Sequence, residues 1–349
     1  MGPGPDVPGG ILSVIQSYLK SEYLKEYNQL YIITAANSNK VLRFLQGILK
    51  YIWLELHGEV ELAHLHMSER GSCYRAIVIV FISMLFRTPV IVHSHGSEIE
   101  AWYNSLNFVC KRVFGYAMQK CQFIIVLTPG WKDFWCRIVE ESKIIIIPNF
   151  IEAKAYTDKV YLSNNMLNII FLGYVGERKG IYDLIKAAKI LKDNKLNFCI
   201  RIGGNGEIEK CKEFITQLKL EDKVFIYGWL DKEKKETILR QSDILILPSY
   251  YESFGIVILE AMMYQLPIIC GSSGHSKEII SVGIDGYIAK TGDVCDLVKQ
   301  IMKLFDLTTL KKMGDAAYQK AMSGYTEQSV MPEIKKLYDK SIRCNYKSR

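Results

Sequence analysis

A chain of 349 residues exceeds one ordinary domain and suits two of about 150 to 170 residues. Hydrophobic residues at 49% and charged residues at 23% fill sizeable cores and argue against disorder, and a formal charge of +7 with no dense basic run interleaved with aromatics argues against nucleic acid. The longest apolar run, Ala76 to Phe86, is too short to span a bilayer, no basic n-region with an apolar core opens the chain, and nine cysteines without a Cys-x-x-Cys read as free thiols, so a soluble cytoplasmic protein is expected.

In chain order, Pro8-Gly9-Gly10 comes first, followed by an amphipathic helix from Ile11 to Leu19. Glycines there leave backbone open to a nucleotide diphosphate and an acceptor, although an ordinary glycine turn explains them too. Strand-like runs then alternate with helical stretches, the β-α pattern of parallel sheets: Leu30 to Thr34, Glu61 to His66, Pro89 to His95, Phe123 to Thr128 and Ile144 to Pro148. Between the first two lies Lys40 to Trp53, apolar with basic punctuation, which fits a core helix or one resting on a membrane. His64, His66, His93 and His95 gather at strand ends, where parallel sheets place their ligands. A zinc site is not expected from them, because no cysteine or acidic ligand stands at metal spacing. A polar segment from Asn149 to Asn165 divides the chain into two sheets.

The second half offers strands at Leu167 to Leu172, Phe198 to Ile202, Val224 to Gly228, Ile244 to Leu247, Pro267 to Cys270 and Gly286 to Ala289. After the first comes Gly173-Tyr-Val-Gly-Glu-Arg-Lys-Gly180, whose Gly173, Gly176 and Gly180 admit close approach while Arg178 and Lys179 supply charge for a diphosphate. Neither this loop nor Gly203-Gly-Asn-Gly206 fits the dinucleotide-binding Gly-x-Gly-x-x-Gly after a strand. Past Leu247 runs Pro248-Ser-Tyr-Tyr-Glu-Ser-Phe-Gly-Ile-Val-Ile-Leu-Glu-Ala-Met, in which a loop carries Glu252 and an apolar helix carries Glu260. A helix apolar around its circumference reads as buried, so Glu260 is expected to be a buried carboxylate that needs a ligand or partner. The terminal stretch 331–349 holds six Lys/Arg against two acids and could attract anionic lipid or form a solvated helix.

Loop, glycine, helix and both glutamates in that order resemble the signature of retaining glycosyltransferases of family 4. That family has the GT-B architecture: α/β, with two facing Rossmann-like domains and a cleft between them. The resemblance implies a first domain over 1–153, completed by the helix at 331–349, and a nucleotide-sugar-binding domain over 154–330. It implies a catalytic set of Glu252, His95, Lys179 and Arg178, with Arg178 standing in for an arginine that the family often has where this chain has Tyr174. Donor contacts fall to Gly9, Gly10, Gly173, Gly204, Trp229, Leu230, Ser253, Phe254, Gly255, Ile256 and Glu260, with Glu260 on the ribose. In Ser272 to Glu278, His275 and Lys277 depart from the family's Gly-Gly-x-Pro-Glu. No Asp-x-Asp occurs, so a metal-independent enzyme without a resident cofactor is expected.

The implied activity is transfer of a sugar from a nucleotide-diphosphate sugar to a glycan or lipid-linked acceptor in cell-surface polysaccharide synthesis, with possible peripheral contact with anionic membrane. Rival readings are a sugar-nucleotide epimerase or phosphorylase of the same architecture, and a partner subunit without turnover. Family members usually begin with a hydrophobic strand ahead of the glycine loop. Its absence here points to a truncated start, and would leave Leu30 to Thr34 and Pro89 to His95 without a neighbour.

Overall fold

The computed structural model describes residues 1–7, 9–156, 159 and 166–346. Pro8, most of the linker's second half (157–158 and 160–165), and Lys347 and Arg349 of the basic tail lie outside them. The chain divides into two units, Met1–Phe150 with Glu327–Arg349, and Ile151–Thr326.

In the first unit, β1 (Gly2–Pro3), α1 (Gly10–Lys20), β2 (Ile33–Ala35), α2 (Lys40–Leu56), β3 (Ala63–Met67), α3 (Gly71–Phe86) and β4 (Val90–Ser94) are followed by α4 (Ile99–Ser105), α5 (Phe108–Lys120), β5 (Phe123–Val126), α6 (Pro129–Trp135) and β6 (Ile144–Ile146). Strands β3, β4, β5 and β6 form a parallel sheet in that order. β4 and β5 are buried along their whole length, which is why their sequences run apolar without alternation. β3 alternates instead, burying Ala63, Leu65 and Met67 and turning His64 and His66 to the other face.

The missing-neighbour expectation needs correction. β4 lies between β3 and β5, so residues 91–93 are paired on both sides. The edge that meets the start of the chain is β3: the Met1 amine donates to the His64 carbonyl at 2.7 Å, and the His66 amide donates to the Met1 carbonyl at 3.0 Å. Gly2 and Gly4 donate in turn to Ile32 and Ala35 of the β2 segment. Residues 1–4 therefore bridge β2 and β3, and the amine's burial pulls it from its usual 8.0 down to about 5. Beside them lies a cavity of about 760 Å³ lined by Ile15, Tyr18, Tyr31, Tyr51, His64 and Tyr338, among others.

The second unit contains β7 (Leu167–Leu172), α7 (Ile181–Asp193), β8 (Phe198–Gly203), α8 (Ile208–Gln217), β9 (Val224–Gly228), α9 (Lys232–Arg240), β10 (Ile244–Leu247), α10 (Ile256–Met262), β11 (Ile268–Gly271), β12 (Gly286–Ala289), α11 (Val294–Met302) and α12 (Leu307–Gly324). Its sheet is wholly parallel, in the order β12-β11-β10-β7-β8-β9, so β7 and β10 are neighbours at the centre and their C-terminal ends lie side by side. Both are fully buried, the condition that makes their ends the place where loops can hold a ligand against a rigid support.

The last helix, α13 (Glu327–Tyr346), packs on the first unit. Glu327 accepts from Ser21 at 2.7 Å, Asp339 accepts from Tyr27 at 2.6 Å, and the Tyr338 hydroxyl meets His64 Nδ1 at 2.6 Å. Part of the tail's charge is taken up within the unit, since Lys335 pairs with Glu26 and Lys336 with Glu333. Among the described residues no helix is long and apolar enough to cross a membrane, and Cys73, Cys110, Cys121, Cys136, Cys199, Cys211, Cys270 and Cys295 are free thiols.

Candidate active site

Within the second unit, the loops after β7 and β10 are strapped together. The Tyr250 amide donates to the Arg178 carbonyl at 2.9 Å, and Gly180 sits at φ +72, with a Cβ there falling 2.2 Å from the Pro248 carbonyl oxygen. Only glycine allows both the left-handed backbone and that approach. The strap sets Lys179 against Glu252: Nζ donates to Oε2 at 2.5 Å, and each side chain is 12% exposed. The His275 amide holds the Glu252 carbonyl at 3.0 Å from the other side, so the departure at His275 is built into the loop through its backbone.

The ends of β7, β8 and β9 close up in the same way. Gly173 donates to the Gly203 carbonyl at 3.0 Å and Gly204 to the Gly228 carbonyl at 2.7 Å. Gly204 has φ +146, and a Cβ there would lie 1.7 Å from the Gly173 oxygen, so any side chain would force these two loops apart. Leu230 leans over Gly203, whereas the Trp229 ring is exposed. Tyr174 is exposed and rests against Gly176; Arg178 is exposed too, and Lys179 is the cation set on Glu252.

Glu260 is not the buried carboxylate that the sequence implied. α10 buries Ile258, Leu259, Ala261 and Met262, but Ile256, Val257 and Glu260, three and four residues apart, share a half-buried face. There Glu260 accepts from Lys235 of α9 at 2.6 Å, its side chain 27% exposed. A short helix with two apolar residues beside its carboxylate looks buried in sequence, and that face is half open in the fold. Phe254, by contrast, is fully enclosed with its ring edge toward Tyr325, Gly255 caps α10 at φ +86, and Ser253 is half-buried.

In the first unit the four strand-end histidines come together. His93 and His95 have ring centroids 4.1 Å apart, and His66 Nδ1 meets His95 Nε2 at 3.0 Å. Burial holds all four well below the usual imidazole range, His95 down to about 3, so all are neutral at pH 7. Among the described residues, His93 Nδ1 and Nε2 and His64 Nε2 are buried without a protein hydrogen-bond partner. The nitrogens of His64, His66 and His93 lie within 4.8 Å of one another, the spacing of a metal cluster. Yet the rings stack, His64 and His93 with planes only 6° apart, so their in-plane lone pairs run side by side instead of converging on one ion.

Gly9 and Gly10 line a separate cavity of about 240 Å³ together with Thr34, His66, Ser68, Ser72 and Arg75. The Arg75 guanidinium is half-buried, burial lowers its pKa, and among the described residues no carboxylate pairs with it. Sequence reasoning missed Arg75, although it is the lone cation inside α3. It missed Lys235 as well, one cation in the charged run Lys232-Glu-Lys-Lys235.

Three comparisons with known proteins bear on this geometry. Residues 156–320 match the family described as glycosyl transferases group 1. Among curated relatives, UDP-Gal:alpha-D-GlcNAc-diphosphoundecaprenol alpha-1,3-galactosyltransferase of Escherichia coli is 22% identical over 337 residues, covering 91% of this chain and 85% of the relative. Among solved structures, Anabaena HepE in complex with UDP superposes with a TM-score of 0.77 at 16% identity, over 97% of this chain and 98% of that one. Sucrose-phosphate synthase from Thermosynechococcus elongatus does so with a TM-score of 0.73 at 15% identity, over 91% and 82%. The structural likenesses give the fold, which is GT-B.

Proposed function

From the match of residues 156–320 to the group 1 glycosyltransferases we propose a retaining, metal-independent enzyme that moves a sugar from a UDP-sugar to a lipid-linked glycan acceptor in cell-surface polysaccharide synthesis. The observation that carries this reading is the Lys179–Glu252 pair at the joined ends of β7 and β10. The pair sets an ammonium and a carboxylate side by side in a nearly enclosed position, ready to act on opposite charges of one substrate. Lys179 neutralises the departing diphosphate, while Glu252 holds sugar hydroxyls and faces the positive charge that develops on the anomeric carbon.

The reaction breaks the bond from the anomeric carbon to the phosphate oxygen and forms the acceptor oxygen bond on the same face. The acceptor's proton leaves with the diphosphate. Gly173 and Gly204 expose backbone to the phosphates, the Trp229–Leu230 segment flanks the base, and Glu260, poised by Lys235, takes the ribose hydroxyls. In the first unit, Gly9, Gly10 and Arg75 offer an anion-binding pocket for a phosphorylated acceptor, with His66 and His95 beside it as neutral donors and acceptors. No resident cofactor is needed for these steps, and the enzyme works on the cytoplasmic side.

With Lys179 supplying the positive charge, turnover of UDP-sugar is expected to persist in excess EDTA. Release of UDP by the purified protein, with and without chelator, measures this. Loss of turnover in chelator, restored by magnesium or manganese, would contradict the metal-free reading.

A further inference from the structure

The face of α2 that points away from the first unit is apolar. Gly47, Tyr51, Leu54 and Glu55 are its buried residues, whereas Val41, Leu42, Leu45, Leu49, Trp53 and Leu56 are exposed. At 3.6 residues per turn those six fall within an arc of about 120°, on the side opposite the packed residues. A helix at a water surface carries its polar residues on that side. Here the order is reversed, and Leu49 stands 66% exposed at the middle of the arc.

The reversal continues on the neighbouring helices. α2 is tied to the α3 region by Tyr51 to Ser83 at 2.6 Å and Glu55 to Thr88 at 2.7 Å, and α3 meets α5 through the Phe81 and Tyr116 rings, 6.2 Å apart. The crossovers β2 to β3, β3 to β4 and β4 to β5 all run the same way across the sheet, so right-handedness places α2, α3 and α5 in one layer. Its helices expose Leu85 at 82% and Phe108 at 69%, along with Val78 and Tyr116.

Charge identifies what this surface meets. The only carboxylate in α2, α3 and α5 is Glu55, and it is buried on Thr88. The exposed charges of these helices are cations: Lys40, Arg43 and Lys50 on α2, and Arg112 and Lys120 on α5. Arg112 and Lys120 stack over the Phe108 and Tyr116 rings, which holds each charge at the level of an apolar surface. A surface that is apolar, purely cationic and rich in interfacial aromatics is complementary to an anionic bilayer. We propose that the outer face of the α2–α3–α5 layer docks the protein on anionic membrane. This places the membrane surface on the helical layer and not on the basic C-terminal stretch, where Lys335 and Lys336 are paired with acids. The proposal deepens the lipid-linked acceptor reading, but its test does not depend on turnover.

The test is co-sedimentation of the full chain with vesicles of phosphatidylcholine alone or with a third phosphatidylglycerol, alongside size-exclusion chromatography without lipid. The wild type is expected to pellet with anionic vesicles at least tenfold more strongly than with neutral ones, and less as salt rises. Leu45→Glu/Leu49→Glu and, separately, Arg43→Glu/Lys50→Glu should each weaken that binding tenfold or more while thermal stability and UDP release are unchanged, since all four side chains are exposed. Equal pelleting with both vesicle types, no pelleting with anionic vesicles, or pelleting insensitive to both double variants would overturn the proposal. So would a dimer in the absence of lipid that Leu45→Glu/Leu49→Glu dissolves, since a second copy would then cover the face.

Discussion

Lys179→Ala is expected to lower kcat by two to three orders of magnitude, the usual cost of removing a charged group that stabilises transition-state charge. The substitution also leaves the nearly enclosed Glu252 carboxylate without its ammonium at 2.5 Å, so the loop after β10 loses its electrostatic anchor. Glu252→Gln should lower kcat far more than it weakens UDP-sugar binding, because its charge acts on the developing cation and its shape still fits the loop. Glu260→Gln should do the reverse: it removes a charged acceptor from the open face of α10 and raises the UDP dissociation constant about tenfold or more, with kcat changed little. Steady-state kinetics with calorimetric UDP binding separates the three. Small and equal effects from all of them would mean that these residues only hold the loops.

Acidification is expected to unfold the first unit well before ordinary carboxylate protonation does. Each strand-end histidine has a folded pKa below its unfolded value near 6.5, so below that pH the unfolded chain binds more protons than the native one. The stability these groups provide is therefore complete above about pH 6.5 and is lost as pH falls toward their folded values, about 3 for His95. Each group that titrates only in the unfolded chain costs about 1.4 kcal/mol per pH unit in that window. His93 and His95, both buried, set the effect, and His64 and His66, which are half-buried, add to it. Urea midpoints from pH 7.5 to 5.0 should fall steadily, and His93→Gln should flatten the slope. A midpoint that stays level over this range would show that the cluster is solvated.

The parallel sheets were legible because buried parallel strands need short unbroken runs of Val, Ile and Leu, recurring between helical stretches along the chain. The loop bearing Glu252 was legible from chain order alone: strand, loop, glycine, helix. What the sequence hid was which partner a charged group would find. Glu260 looked isolated because Lys235 lies 25 residues earlier in a run of charges, and only the packing of α9 beside α10 brings the two together. Arg178 and Lys179 were equivalent cations in sequence, and the strap from Tyr250 to the Arg178 carbonyl is what turns Lys179 onto Glu252. The strand pairing of the first unit failed for a related reason: four residues, Met1 to Gly4, suffice to bridge β2 and β3, and a run that short and rich in glycine and proline carries no strand signal. The apolar stretch at Lys40 to Trp53 left a core helix and a membrane-resting one both open, because hydrophobicity does not say which side of a helix is covered.

The stereochemistry of transfer tests the central claim most directly. A UDP-α-sugar and a lipid-linked acceptor incubated with the protein should give a product whose new linkage is α, read from the anomeric proton coupling by NMR. A β linkage would show inversion and contradict the assignment of Lys179 and Glu252 to a same-face displacement.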